Sequence, residues 1–195
     1  MTENTQVSRL RASAHPVRLR ILSLLTGAEM SAAEVARELD LAHANASYHL
    51  RTLAGVGLLE VAGEERIRGG VAKRYRHPWA DSDAGEGHRV PTTQEWQAYV
   101  RASAEELVRR ADVAADYRER HLREADGQPE RKKGYSSDAE MWVEPEVWEQ
   151  VLGLLMEAGA LIHANARPPR TPGTIHVNQT VFAFVMGDLE GEDER

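Results

Sequence analysis

Six side chains able to hydrogen-bond to DNA fall within nine residues: His43, Asn45, Ser47, Tyr48, His49 and Arg51. Asn45, His49 and Arg51 offer donors suited to adenine or guanine edges, whereas Ser47 and Tyr48 suit phosphate oxygens. His49 has a second reading, because beside Leu50 it can instead pack against the preceding helix. Further on, Arg66, Arg68, Lys73, Arg74 and Arg76 place five cations within eleven residues. On a hairpin, such a cluster suits the phosphate backbone or a narrow minor groove. Strand alternation puts Lys73, Tyr75 and His77 on one face and Arg74 and Arg76 on the other. Both faces cannot meet DNA equally, so Arg66 and Arg68 near the tip are the favoured contacts, with Lys73 and Arg74 completing the candidate set.

These groups need a scaffold, and the flanking sequence predicts one. Residues 7–14 predict a short helix, and Pro16 marks the first position of the next. Val17, Ile21, Leu22, Leu24 and Leu25 follow at helical spacing up to Gly27, a C-terminal cap. Ser31 and Glu34 form a capping box ahead of Val35, Ala36 and Leu39. Asp40-Leu41 is a turn, and a polar-fronted helix runs from about Ala42 to Ala54, ended by Gly55 and Gly57. Leu50, Leu53, Val56 and Leu58 supply its apolar side. Leu58–Glu64 and Val71–His77 predict two strands around a glycine-containing tip at residues 65–70.

HPVRLRILSLL, SAAEVARELDL, ANASYHLRTLAGVGLLEV and a hairpin closing on KRYRHP together resemble the ArsR-like winged-helix repressors. The resemblance covers residues 8–78. It implies that the segment around Ala42–Leu53 lies in the major groove, that the hairpin lies along the backbone or minor groove, and that the protein is a homodimer. Many members sense a metal through thiolates. This chain has no cysteine, so that chemistry is not carried over.

Trp79–Pro91 predicts a linker rich in Gly, Asp and Ser. Thr92 and Glu95 form a second capping box. Trp96, Val100, Ala104, Leu107, Ala111 and Ala114 then recur every three or four residues, with Tyr99, Val108, Tyr117 and Leu122 beside them. This predicts one amphipathic helix from 92 to about 125 whose narrow stripe is buried on a second copy. Residues 127–137 are polar and predict a loop. Ala139–Val143 predicts a strand. Pro145–Ala166 predicts a helix with a wide apolar face, broken at Arg167–Gly173. Thr174–Met186 predicts a β-rich segment, and an acidic tail follows from 187.

The fold class expected is mainly α with a small β component: an α+β winged helix-turn-helix, a long dimerisation helix and a C-terminal strand-helix-strand unit. The domains expected are 1–78 for DNA binding, 79–91 as linker, 92–187 for dimerisation and effector response, and 188–195 as tail. The net charge of −7 divides unevenly. Residues 1–78 hold 11 Lys/Arg against 8 Asp/Glu, and residues 79–195 hold 13 against 23. A mildly basic front and an acidic back suit a DNA-binding head joined to a module facing away from phosphate.

Other classes find little support. Gly-x-Ser-x-Gly, phosphate-loop and dinucleotide motifs are missing, so catalysis is not expected. His88, His121, His163 and His176 show no tight ligand spacing, so no metal or cofactor is expected. No apolar run reaches the roughly 18 residues of a membrane span, and the first sixteen residues lack a signal-peptide core, which predicts a cytoplasmic protein. The partners expected are double-stranded DNA, a second copy and a small-molecule effector whose identity and existence stay open. Trp96, Trp142, Trp148, Met141, Met156, Phe182, Phe184 and Met186 could line its site or simply fill a core. Two alternatives remain: a winged-helix protein-interaction module without DNA binding, and a sensor holding metal through His and carboxylates.

Overall fold

The computed structural model describes residues 9–67, 70–78, 92–124 and 134–187. Helix α1 covers residues 9–13, α2 is Pro16–Thr26, α3 is Ala32–Leu39 and α4 is His43–Gly55. Strands β1 (Met30–Ser31), β2 (Glu60–Ile67) and β3 (Gly70–Arg76) are followed by helices α5 (Thr93–Glu124) and α6 (Pro145–Ala164).

Local chemistry sets the boundaries. His15 Nδ1 accepts a hydrogen bond from Val17 N at 3.2 Å, and Pro16 occupies the first turn of α2. At α3 the predicted capping box is reciprocal: Glu34 N donates to Ser31 Oγ at 3.4 Å, and Ser31 N donates to Glu34 Oε2 at 2.7 Å. Helix α3 stops at Asp40, whose φ of 52° is a left-handed conformation that an aspartate tolerates. Leu41 N then donates to Ala36 O at 2.8 Å, fixing the tight turn into α4.

The core of this head is built mainly from its helices, with Leu59 ahead of β2 and Tyr75 of β3 joining them. Ile21, Leu22 and Leu25 of α2 meet Val35 and Ala36 of α3, Ala46, Leu50 and Leu53 of α4, Leu59, and Tyr75 of β3. Three antiparallel strands close it in the order β1-β3-β2, with Met30 and Val61 both paired to Tyr75. A register shift between Val61 and Gly63 bends β2.

Strand β1 was not expected from the sequence, where Ser31 reads only as a cap. Two residues carry no periodicity, and their strand identity comes from the edge of β3. The hairpin ladder is also longer than expected, since Ile67 pairs with Gly70. The tip residues Arg68 and Gly69, the linker 79–91 and the tail 188–195 lie outside the described residues.

Helix α5 matches the expected span, and its first half packs on its own head. The Thr92–Glu95 capping box forms, with Thr92 N donating to Glu95 Oε2 at 3.0 Å. Glu95, Ala102, Ser103 and Glu106 are buried, and α5 packs against α2. Of the expected stripe, Trp96 and Val100 are half-buried, while Ala104, Leu107, Ala111 and Ala114 are exposed. Trp96 and Tyr99 meet Phe182 and Phe184 of the chain's own C-terminal segment, with ring centroids 6.1–6.3 Å apart. Buried Glu106 is held by Arg109 Nε at 2.8 Å and Arg110 Nε at 2.9 Å. Those guanidinium groups keep its carboxyl below the usual range although burial pushes the other way.

The C-terminal unit departs from the expected strand-helix-strand order. Helix α6 forms, but residues 139–143 and 174–186 are not strands. A strand requires a ladder partner. These segments make no backbone–backbone hydrogen bond to another strand among the described residues. The unit is nevertheless tied to the head. Arg170 clamps Glu38 of α3 through both carboxylate oxygens at 2.7 and 3.0 Å. Gly27 lies so close to the loop after α6 that a Cβ there would sit 2.7 Å from Arg167 O. Arg110 spans from Ser23 Oγ at 3.1 Å to Asn178 Oδ1 at 2.8 Å.

Candidate nucleic-acid interface

Helix α4 divides into two faces. Ala46, His49, Leu50 and Leu53 point into the core, leaving Ala44, Ser47, Tyr48, Arg51 and Thr52 around the opposite side. His43 and Asn45 are exposed in its first turn. Tyr48 is 56% exposed. Arg51 Nε donates back to Ser47 O at 3.2 Å, and its Nη groups have no partner among the described residues. A helix anchored along one side, with a guanidinium and a phenol exposed on the other, can present donors to base edges and phosphates.

His49 does not join this surface. It is only 5% exposed, and its ring lies 5.0 Å from that of His15 at the start of α2. Its Nδ1 is buried without a hydrogen-bond partner among the described residues. Burial, reinforced by His15 and Arg18, lowers its pKa and so disfavours the charged ring. The helical period explains the placement, because His49 lies three residues after Ala46 and four before Leu53.

The hairpin cations also separate. Arg66 and Lys73 are exposed, with no ion pair among the described residues. Arg74 is drawn inward. Its guanidinium bonds Glu34 Oε2 at 3.1 Å, Glu65 Oε2 at 3.2 Å and the carbonyl of Glu29. It therefore ties β3 to the capping box of α3 rather than standing free for phosphate. The Ser31 amide, the Ser31 hydroxyl and Arg74 together hold the Glu34 carboxyl below its ordinary pKa, against a raising effect of burial. Arg76 is paired with Glu60. Arg68 lies outside the described residues.

Two groups at this surface were not singled out from the sequence. Thr52, four residues after Tyr48, donates its hydroxyl to Tyr48 O at 3.0 Å. Arg37 is exposed on α3 and shares a shallow depression with Asp40, Leu41 and His43 at the turn between α3 and α4. Its signal was its place on the polar side of α3. Among the described residues no group of three or more His, Asp or Glu is placed to hold a metal ion, and no helix is long and apolar enough to cross a membrane.

Residues 14–62 match the family described as helix-turn-helix domain. This segment is a helix-turn-helix domain. It spans α2, the α3-turn-α4 pair and the start of β2, and the β2–β3 hairpin makes the architecture that of a winged helix-turn-helix. No curated protein matches the chain.

The wing's role is measurable. Replacing Arg66 and Lys73 together by Ala should lower the slope of log affinity against log salt by about 1.8 in magnitude, at about 0.9 per phosphate contact. Fluorescence anisotropy between 50 and 200 mM salt reads it directly. An unchanged slope would show that the wing does not meet the DNA backbone. Arg74→Ala should leave the slope alone and lower folding stability instead.

Proposed function

We propose that the chain is a sequence-specific, homodimeric transcriptional regulator of ArsR-like winged-helix type, acting as a repressor. The observation that carries the DNA-binding reading is the outer face of α4. His43, Asn45, Tyr48 and Arg51 are exposed with Ser47 half-buried among them, and the wing cations Arg66 and Lys73 are exposed as well. An α-helix held in this way fits the width of the major groove, and the wing cations suit the flanking backbone. The repressor assignment rests on the resemblance of residues 8–78 to ArsR-like repressors.

In this reading residues 1–78 bind DNA, 79–91 link, and 92–187 dimerise and respond to an effector. The dimer is supported by the outer half of α5, where Leu107, Val108, Val113 and Tyr117 are exposed. Two recognition helices about 34 Å apart read a pseudo-palindrome, one half-site each.

Selection of bound sequences from a random DNA pool tests the proposal, and Arg51→Ala tests its central residue. Loss of a bidentate base contact costs about 1–3 kcal/mol on the selected site. Affinity for random DNA should stay nearly unchanged. Equal weakening on both would place Arg51 on phosphate, and no enrichment of any sequence would overturn sequence-specific binding.

A further inference from the structure

The loop that follows α6 is stiff by construction. Pro168, Pro169 and Pro172 each fix a backbone φ. Thr171 donates to Pro168 O through its amide at 3.2 Å and its hydroxyl at 2.7 Å. Thr174 repeats the pattern on Thr171 O, at 3.2 and 2.6 Å. Within these turns Arg170 holds a φ of 63°, a left-handed conformation that is costly for a residue with a Cβ. Its guanidinium ends on both carboxylate oxygens of Glu38, at 2.7 and 3.0 Å, across 132 residues of sequence. A surface ion pair is weak mainly because two flexible side chains must be ordered. Here the backbone of one partner is ordered in advance and the pairing is bidentate. The buried core of the head, by contrast, holds no described residue beyond Tyr75. A joint that leans on polar contacts at the rim is the kind that opens and closes.

Glu38 occupies a sensitive place. It lies at the end of α3, between the exposed Arg37 and the Asp40 turn into α4. Arg37, Asp40 and His43 share the depression at that turn. Without Arg170, the end of α3 carries two carboxylates against one guanidinium, next to the first turn of the proposed DNA-reading helix. With Arg170 in place the four charges cancel. We infer that loop 167–173 is a latch: when closed it neutralises Glu38 and keeps this rim of the DNA surface acceptable to phosphate. The inference rests on the DNA-binding reading above and adds to it a means of regulation. Arg170 is 74% exposed, so the pair opens into solvent without stranding a buried cation. Any displacement of residues 134–187 that withdraws Arg170 leaves a net negative charge at the α3–α4 turn. Within a Debye length of the duplex, that charge repels phosphate and lowers affinity. A movement of the C-terminal unit is thereby converted into an electrostatic change beside α4.

The test is a double-mutant cycle on the full chain: Arg170→Gln, Glu38→Gln and the two combined. Fluorescence anisotropy gives the Kd for a duplex selected from the random pool, and circular dichroism checks that each variant keeps its fold. The inference expects Arg170→Gln to weaken binding at least fivefold, the lower end of a typical coupling between sites. It expects Glu38→Gln to bind as tightly as wild type or tighter. It expects the double variant to match Glu38→Gln, since Arg170 has nothing left to neutralise. An Arg170→Gln chain that binds like wild type overturns the latch alone. A double variant as weak as Arg170→Gln means that Arg170 meets DNA itself, and also overturns it. So does a Glu38→Gln chain as weak as Arg170→Gln, because the pair would then act by holding α3 in place rather than by charge. A wild-type chain that binds no duplex overturns the DNA-binding reading and this inference with it.

Discussion

Acidifying the protein from pH 7 to about 4 is expected to remove up to about 3 kcal/mol of folding stability through His77 alone. His77 follows β3 and seals the wing onto the end of α2. Its backbone N donates to Leu25 O at 3.0 Å, and its Nδ1 lies 3.3 Å from Thr26 Oγ1. Burial, followed by the nearby His163 and Arg9, lowers its pKa from 6.5 to about 4. The unfolded chain therefore takes up a proton near pH 6.5 while the folded chain refuses it until about pH 4. Stability is fully present above 6.5 and falls as pH drops across that interval, at about 1.4 kcal/mol per unit. His15 and His49 shift in the same direction, both first through burial, and steepen the decline. Glu34 acts in a separate window: its lowered pKa stabilises above its ordinary 4.5 and is lost only at lower pH. Urea unfolding at a series of pH values measures the slope. His77→Gln should flatten it between pH 6.5 and 4.5, and a wild-type stability that is level over that range would contradict the burial of these rings.

Leu50→Ala is expected to cost about 2–5 kcal/mol, the range for emptying a fully buried leucine site. Leu50 is fully buried among the α2, α3 and α4 side chains of the head. It fixes α4 to everything behind it. Its neighbour Arg51 stands on the outer face, so Arg51→Ala should change stability by less than about 0.5 kcal/mol. The pair thus separates anchoring from the proposed DNA contact at adjacent positions. Denaturant midpoints at constant m-value read both. A cost below about 1 kcal/mol at Leu50 would mean that α4 is not seated as described.

The helices of the head were legible because each carries a local signal. Ser31 and Glu34 cap α3 as their spacing predicts, Pro16 opens α2, and the 3.6-residue period separates Leu50 and Leu53 from Arg51. The candidate surface was only partly legible. Residue type alone groups His49 with Tyr48 and Arg74 with Lys73, since all can reach DNA. The direction in which each side chain points depends on the phase of its element against the core. For Arg74 it depends on Glu34, forty residues away in sequence.

The sequence by itself determined where the chain could be helical, where it had to turn, and that a basic hairpin follows a polar-fronted helix. Those features arise from hydrogen bonds and side-chain periods within about ten residues. Only the tertiary structure decided that His49 is buried against His15, that Arg74 braces the wing to α3, and that two residues at Met30–Ser31 form a third strand. It also decided that residues 139–143 and 174–186 form no strand ladder among the described residues. A strand is a relation between two segments. A β-branched, apolar stretch can specify its readiness to pair, but the partner edge is set by what the rest of the fold brings alongside.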